Sequence, residues 1–276
     1  VQDLRAVLDV FASLLNSDLP EIGGFAGGVA YRQAEDETLT LDVMVPRGTG
    51  PFPVLVYLHG GAWVWGSPAT HRKLTYRFAE LGFLTLSVDY RLAPEHPFPA
   101  GFNDCVHAIH FAARNARKWK GDPERLVLAG DSAGANLAAA SAIELAGAAG
   151  APVVRGVGLL YGVIDISTLE GEGITAELMD AYRGDRGLAS DPRVSPLRKA
   201  ASLPPAHIAV GDADTLIEDA EKLRAALARA GRVHDFHVYQ DMPHAFAQME
   251  ILGSARQAQA RMAEFLHEVS QPLRGA

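Results

Sequence analysis

The pentapeptide Gly130-Asp131-Ser132-Ala133-Gly134 lies between the apolar run Leu126-Val127-Leu128-Ala129 and an alanine-rich stretch from Ala133 to Ala149. A serine between two glycines, where a buried strand meets a helix, can sit on a strained turn with its hydroxyl exposed and a helix N-terminus behind it. Glycine suits the flanks because a bulkier side chain would clash where the chain doubles back. A nucleophilic serine needs a base, an acid to orient that base, and N–H donors for an oxyanion. The base candidate is His244, in Asp241-Met242-Pro243-His244-Ala245-Phe246, and the acid candidate is Asp214, in Gly211-Asp212-Ala213-Asp214-Thr215-Leu216. His59-Gly60-Gly61-Ala62-Trp63 supplies small residues whose backbone can approach a developing charge closely, so Gly61 and Ala62, with Ala133 beside the serine, are the oxyanion donors expected. Each has a plainer reading: Ser132 and Asp214 as helix caps, His244 as a loop histidine.

Each of these segments directly follows an apolar run: Val54 to Leu58, Leu126 to Ala129, His207 to Val210 and Phe236 to Tyr239. Further runs lie at Phe83 to Val88 and Val153 to Tyr161. Continuous apolar runs suit strands covered on both faces, and in open α/β sheets functional groups gather at the carboxyl ends of strands. Helical spacing separates the runs, as in Leu216, Ala220, Leu223, Leu227 and Ala230, or Ala258, Met262, Phe265 and Val269. Two strand-like runs, Val29 to Gln33 and Thr38 to Val45, precede them as an antiparallel hairpin. The expectation is an α/β fold: a mostly parallel central sheet of about eight strands flanked by helices, in one domain over residues 1–276. Asp165 to Arg198 contains no strand pattern and one short helical piece, Ala176 to Tyr182. A connection that long suggests a lid. Leu4, Val7, Leu8, Phe11, Leu14 and Leu15 recur at helical spacing and predict an N-terminal helix that buries this face. Residues 1–20 and 165–198 are therefore expected to form a small helical cap.

Composition narrows the partners. The 276 residues carry 33 acidic and 25 basic side chains, a net charge of −8, with Lys and Arg scattered, which argues against nucleic acid. No apolar run reaches the roughly 20 residues of a membrane span. Asp3, Arg5 and Asp9 interrupt any signal-peptide pattern, and a start at Val1 suggests a few trimmed residues. Cys105, the one cysteine, falls in a helical pattern from Asn103 to Ala116 and reads as a buried thiol, which favours a reducing, cytoplasmic setting. His71, His96, His107, His110, His207, His234, His237 and His267 show no metal-ligand spacing, so neither metal nor cofactor is expected. Oligomeric state stays open, a homo-oligomer included.

Taken together, the motifs resemble the hormone-sensitive-lipase family of α/β-hydrolases, the bacterial family IV esterases. The resemblance spans nearly the whole chain and rests on His59-Gly60-Gly61, the run from Asp89 to Ala100 (DYRLAPEHPFPA), the elbow with Asp131 before Ser132, Ser195-Pro196-Leu197, and Pro243-His244-Ala245-Phe246. The chain order Ser132, Asp214, His244 matches the nucleophile, acid, base order of that superfamily. The resemblance implies a serine carboxylesterase that hydrolyses short-chain esters through an acyl-enzyme, with a small-molecule ester as partner. An aryl formamidase or other amidase using the same triad is the alternative, and a ligand-binding member without turnover a remote one. The third oxyanion position, glycine in the family, is Ala62. The family's Asp-Pro-Leu is Asp214-Thr215-Leu216, which leaves Asp212 as a rival acid, although Leu216 and Glu218 continue the family pattern at Asp214. Trp63, Trp65, Leu178, Met179, Tyr182 and Phe246 are expected to line the substrate pocket. Asp131, His59, Arg91 and Glu95 are expected to hold loops rather than do chemistry.

Overall fold

Runs of apolar residues must be covered on both faces, and in the computed structural model they form the centre of one eight-stranded sheet. The structure describes residues 2–34, 37–169, 174–184 and 190–271. The expected trimmed start at Val1, the side chain of Leu4, and residues 170–173 and 185–189 of the expected cap lie outside the described residues. The strands are β1 (Gly24–Ala34), β2 (Glu37–Val45), β3 (Phe52–Leu58), β4 (Leu84–Val88), β5 (Gly121–Asp131), β6 (Val157–Leu160), β7 (Ala206–Gly211) and β8 (His234–Tyr239). Their order is β1-β2-β4-β3-β5-β6-β7-β8. The β1–β2 hairpin and the β2–β4 pair are antiparallel, and every other pair is parallel. β3 is buried along its whole length, whereas β2 alternates as a strand with one covered face should.

The helices are α1 (Gln2–Leu15), α2 (Arg72–Glu80), α3 (Ala100–Asn115), α4 (Ala133–Leu145), α5 (Ile174–Arg183), α6 (Ile217–Arg229) and α7 (Gly253–Val269). None is long and apolar enough to cross a membrane. α4 is apolar nearly all round and almost fully buried, as a helix enclosed by a core must be. Its small residues let its first turn lie against the end of β3: a Cβ on Gly134 would stand 2.0 Å from the Leu58 carbonyl oxygen, and one on Gly130 would stand 2.5 Å from Gly134. The two glycines of the pentapeptide thus make room for the crossing of strand, turn and helix.

Two local expectations are corrected, and one helix is added. β6 begins at Val157 rather than Val153, because Val153 is exposed and follows Pro152, which has no N–H to give a ladder. α2 is new: its apolar residues recur at helical spacing, and it buries Leu74, Thr75, Phe78 and Ala79 along one face. α1 exists, yet Val7, Phe11 and Leu14 of its expected inner face are exposed together with Val10, and Ala12 is the buried residue. Polar ties set its orientation instead. Arg5 donates to the carbonyl oxygens of Val64 and Ala93 and to Glu95, and Asn16 donates to Thr70 O and accepts from the Lys73 N–H.

Because the atom facing Gly134 is backbone, Gly134→Ala cannot be relieved by a rotamer change. Chemical denaturation should show a loss of at least 1–3 kcal/mol, on the order of the usual cost of overpacking.

Candidate active site

β5 ends at Asp131 and α4 begins at Ala133, so Ser132 must make the entire turn, at φ 52° and ψ −117°. A side chain held there stores on the order of 1–3 kcal/mol, which surrounding bonds must hold in place. The Ser132 N–H donates to Leu160 O at 2.9 Å, and the Asn136 N–H donates to Ser132 O at 3.2 Å. The hydroxyl Oγ then lies 3.0 Å from His244 Nε2, and His244 Nδ1 lies 2.8 Å from Asp214 Oδ2. The Asp214 carboxylate is fully buried, and its other oxygen accepts the Leu216 N–H at 2.9 Å. The rival, Asp212, accepts the Asp241 N–H at 2.7 Å and so joins the two loops without reaching the imidazole. His244 stays 41% exposed, which leaves Nε2 open to proton exchange with a small molecule. Tyr161 packs edge-on against its ring at 5.0 Å.

After β3 the chain coils through Gly61 (φ 115°), Ala62 (φ 52°) and Trp63 (φ 60°). Successive left-handed residues turn neighbouring N–H groups to one side and make an anion-binding concavity. Among the described residues, no backbone acceptor is assigned to the N–H of Gly61, Ala62 or Ala133, the last at the start of α4, where helix donors are free. Other bonds keep the loop from collapsing onto these donors. The Val64 and Trp65 N–H groups donate to Gly61 O, Ala93 N–H to Trp63 O at 2.9 Å, and the Tyr90 hydroxyl to His59 O at 2.7 Å. Arg91 donates to the buried Asp104 at 2.8 Å, and Arg5 grips Glu95. The 89–100 run is therefore a brace for the loop from His59 to Trp65. Ser195-Pro196-Leu197 braces the far side: Ser195 Oγ accepts the Ile166 N–H and donates to Asp165, and the Leu197 N–H donates to Ile164 O.

Beneath the site, the buried Asp131 carboxylate accepts hydrogen bonds from Tyr57 (2.7 Å), the Gly60 N–H (3.0 Å) and Gln248 (3.0 Å), and His71 Nε2 stands 3.3 Å away. Burial alone would raise its pKa, but His71, Tyr57 and His59 outweigh it and hold the carboxyl down at about 2. His59 stacks on Tyr90 at 4.2 Å. Burial, reinforced by neighbouring His71, pushes its imidazole down to about 3.

The cavity at Ser132 measures about 190 Å³ and is lined by Ala62, Trp63, Leu178, Met179 and His244, with Val163, Leu169, Thr215 and Leu216 completing it. Trp65, Tyr182 and Phe246, expected there, lie elsewhere. Trp65 donates to Asp9 on α1, Tyr182 stacks behind Trp63 at 4.3 Å, and Phe246 is buried against Tyr161 and Tyr239. Of the lining residues missed from the sequence, Thr215 and Leu216 directly follow the acid candidate. Val163 sits just past the carboxyl end of β6, where such groups collect. α5, from the expected cap, supplies Leu178 and Met179. A larger cavity of about 500 Å³ opens between α1 and the 89–96 loop, but it does not reach Ser132. The structure also gathers His207, Asp235 and His237, whose spacing along the chain assigns them no role.

Residues 55–248 match a protein family described as the alpha/beta hydrolase fold. The carboxylic ester hydrolase LipN of Mycobacterium tuberculosis is 36% identical over 77% of this chain, which spans 62% of that protein's length. The fold superposes on EstE1, a thermophilic carboxylesterase from a metagenomic library, with a TM-score of 0.90 at 26% identity, covering 98% of each chain. It superposes on an esterase of the bacterial hormone-sensitive lipase family with a TM-score of 0.83 at 30% identity, covering 97% of this chain and 91% of the other.

His59 yields a pH prediction. Its folded pKa of about 3 lies below the ordinary 6.5, so between those values the unfolded chain binds a proton the folded one refuses. Its contribution is complete above pH 6.5 and drains as pH falls. Unfolding free energies should drop by roughly 2–3 kcal/mol between pH 6.5 and 4.5 on its account, and His59→Gln should flatten the slope by that amount.

Proposed function

From the premise that this chain belongs to the alpha/beta hydrolase family, on its hormone-sensitive-lipase branch, we propose that it is a serine carboxylesterase acting on esters of short acyl chains. The observation that carries the reading is the continuous relay from Ser132 Oγ through His244 to the buried Asp214, beside unpaired backbone N–H groups. His244 Nε2 removes the hydroxyl proton as Oγ attacks the ester carbonyl carbon, while Asp214 accepts from Nδ1–H and so keeps Nε2 as the acceptor nitrogen. The carbonyl oxygen, now an anion, takes hydrogen bonds from the N–H groups of Gly61, Ala62 and Ala133, each worth on the order of 3 kcal/mol in comparable sites. His244 returns its proton to the leaving alcohol. Water then attacks the acyl-enzyme by the same route, and Ser132 leaves protonated.

The acyl-chain preference follows from volume. About 190 Å³ walled by Trp63, Leu178 and Met179 is below the 300–1,000 Å³ of pockets for drug-sized ligands, which suits acetyl to hexanoyl groups. Cys105, buried and unpaired, accords with a reducing compartment, and the cytoplasm is the setting proposed.

Ser132→Ala should lower kcat on p-nitrophenyl butyrate by roughly 10⁴-fold or more while the protein stays folded, and a variant retaining near wild-type turnover would sink the assignment. Ala62→Gly gives a second test. It removes a methyl from the cavity wall and relieves a left-handed alanine. The ratio of kcat/KM for hexanoyl over acetyl esters should rise at least about 5-fold, the low end of the roughly 1–3 kcal/mol that one methyl-sized group commands in a pocket, with stability changed by less than about 1 kcal/mol.

A further inference from the structure

At the opposite end of the strands that feed the triad, β7 and β8 bring chemistry-bearing side chains together that the proposed esterase does not use. His207 and Asp235 are cross-strand partners, and His237, two residues along β8, projects from the same face as Asp235. His207 Nδ1 lies 2.9 Å from Asp235 Oδ2 and His237 Nε2 lies 2.9 Å from Asp235 Oδ1, and one ligand atom from each residue falls within 4.8 Å of the others. A tetrahedron with metal–ligand bonds of 2.0–2.1 Å has edges of about 3.3 Å, so the cluster needs little adjustment to enclose an ion. We propose that His207, Asp235 and His237 form a binding site for a borderline divalent cation, Zn²⁺ or Co²⁺, with water as fourth ligand, and that the ion ties the last two strands of the sheet together.

Two imidazoles and one carboxylate are the donor types that a borderline divalent cation takes. His207 Nε2 is buried with no partner among the described residues, so shifting its proton there as Nδ1 takes the metal breaks no bond beyond the one to Asp235. A cavity of about 350 Å³, lined by Asp235, Arg261, Glu264, Phe265 and Glu268, opens alongside as the route in. Arg261 competes: its guanidinium lies 3.2 Å from His237 Nε2 and must swing away, and Glu264, one helical turn on, is placed to receive it.

Chelator-treated protein titrated with ZnCl2 by calorimetry should show one saturable site, and CoCl2 should develop the visible bands of a four-coordinate ion. Saturation, at a hundredfold over Kd, should raise Tm by roughly 5 °C. Turnover of p-nitrophenyl butyrate should stay within about twofold, since no cluster residue lines the cavity at Ser132 and His207 and His237 each precede the nearest triad residue by seven positions along the chain. His237→Asn and Asp235→Asn should each weaken binding at least about tenfold, whereas Arg261→Gln should tighten it. Absence of saturable binding, or equal binding by wild type and both ligand variants, overturns the proposal.

Discussion

The site depends on one buried charge. An unpaired carboxylate inside a protein costs several kcal/mol, so Asp131 can be ionised where it lies only if the chain brings it donors. Those donors come from separate segments: Tyr57 from β3, Gly60 from the oxyanion loop, and Gln248 from the turn after His244, with His71 closing in from the start of α2. The residue next to the proposed nucleophile thereby fixes the height of the loop proposed to stabilise the oxyanion and the turn that carries the proposed base. Electrostatics below the serine does what packing alone would do loosely.

Strain is the second constraint, and it is concentrated where chemistry is proposed. Ser132, Ala62 and Trp63 all hold positive φ angles without being glycine. Such angles persist only when neighbouring bonds over-determine them. That accounts for the long stretches of sequence that touch no substrate pocket. The 89–100 segment braces the proposed oxyanion loop through Tyr90 and Ala93, and Ser195 with Asn136 pins the turns beyond β6, Asn136 donating to Val163 O and Val194 O. The close approach of Gly130, Gly134 and Leu58 leaves the elbow no room to relax.

Much of this was legible in the residues, because strong local signals and tertiary needs agree. Apolar runs located the central strands, and the segments after them located Ser132, Asp214 and His244, since the end of a strand fixes a position in space whatever the conformation of the loop beyond it. Aromatic side chains were harder to place. Trp65 and Tyr182 sit within a few residues of true lining positions, but the side of a loop or short helix to which a ring turns is decided by partners such as Asp9 and Trp63 that no local pattern reveals. The outward apolar stripe of α1 misled for the same reason: polar ties from Arg5 and Asn16 overrode its amphipathicity. The pairing of His207 with Asp235 requires strand register, which spacing along the chain does not contain.

The fastening between the loops after β7 and β8 has a mechanical consequence. Asp212 holds the Asp241 N–H, a Cβ on Gly211 would stand 1.9 Å from Met242 O, and Asp214 holds His244. The proposed acid and base therefore ride on a single plate. A displacement of either loop must therefore strain these contacts or carry the other loop along. Ser132 is anchored to a different strand, which the plate meets through the bond from Gln248 to Asp131 and across the gap between Oγ and Nε2. The tolerance of the whole assembly is set there, and substitutions that loosen the plate as a unit should register as a change in that gap long before the imidazole loses its carboxylate.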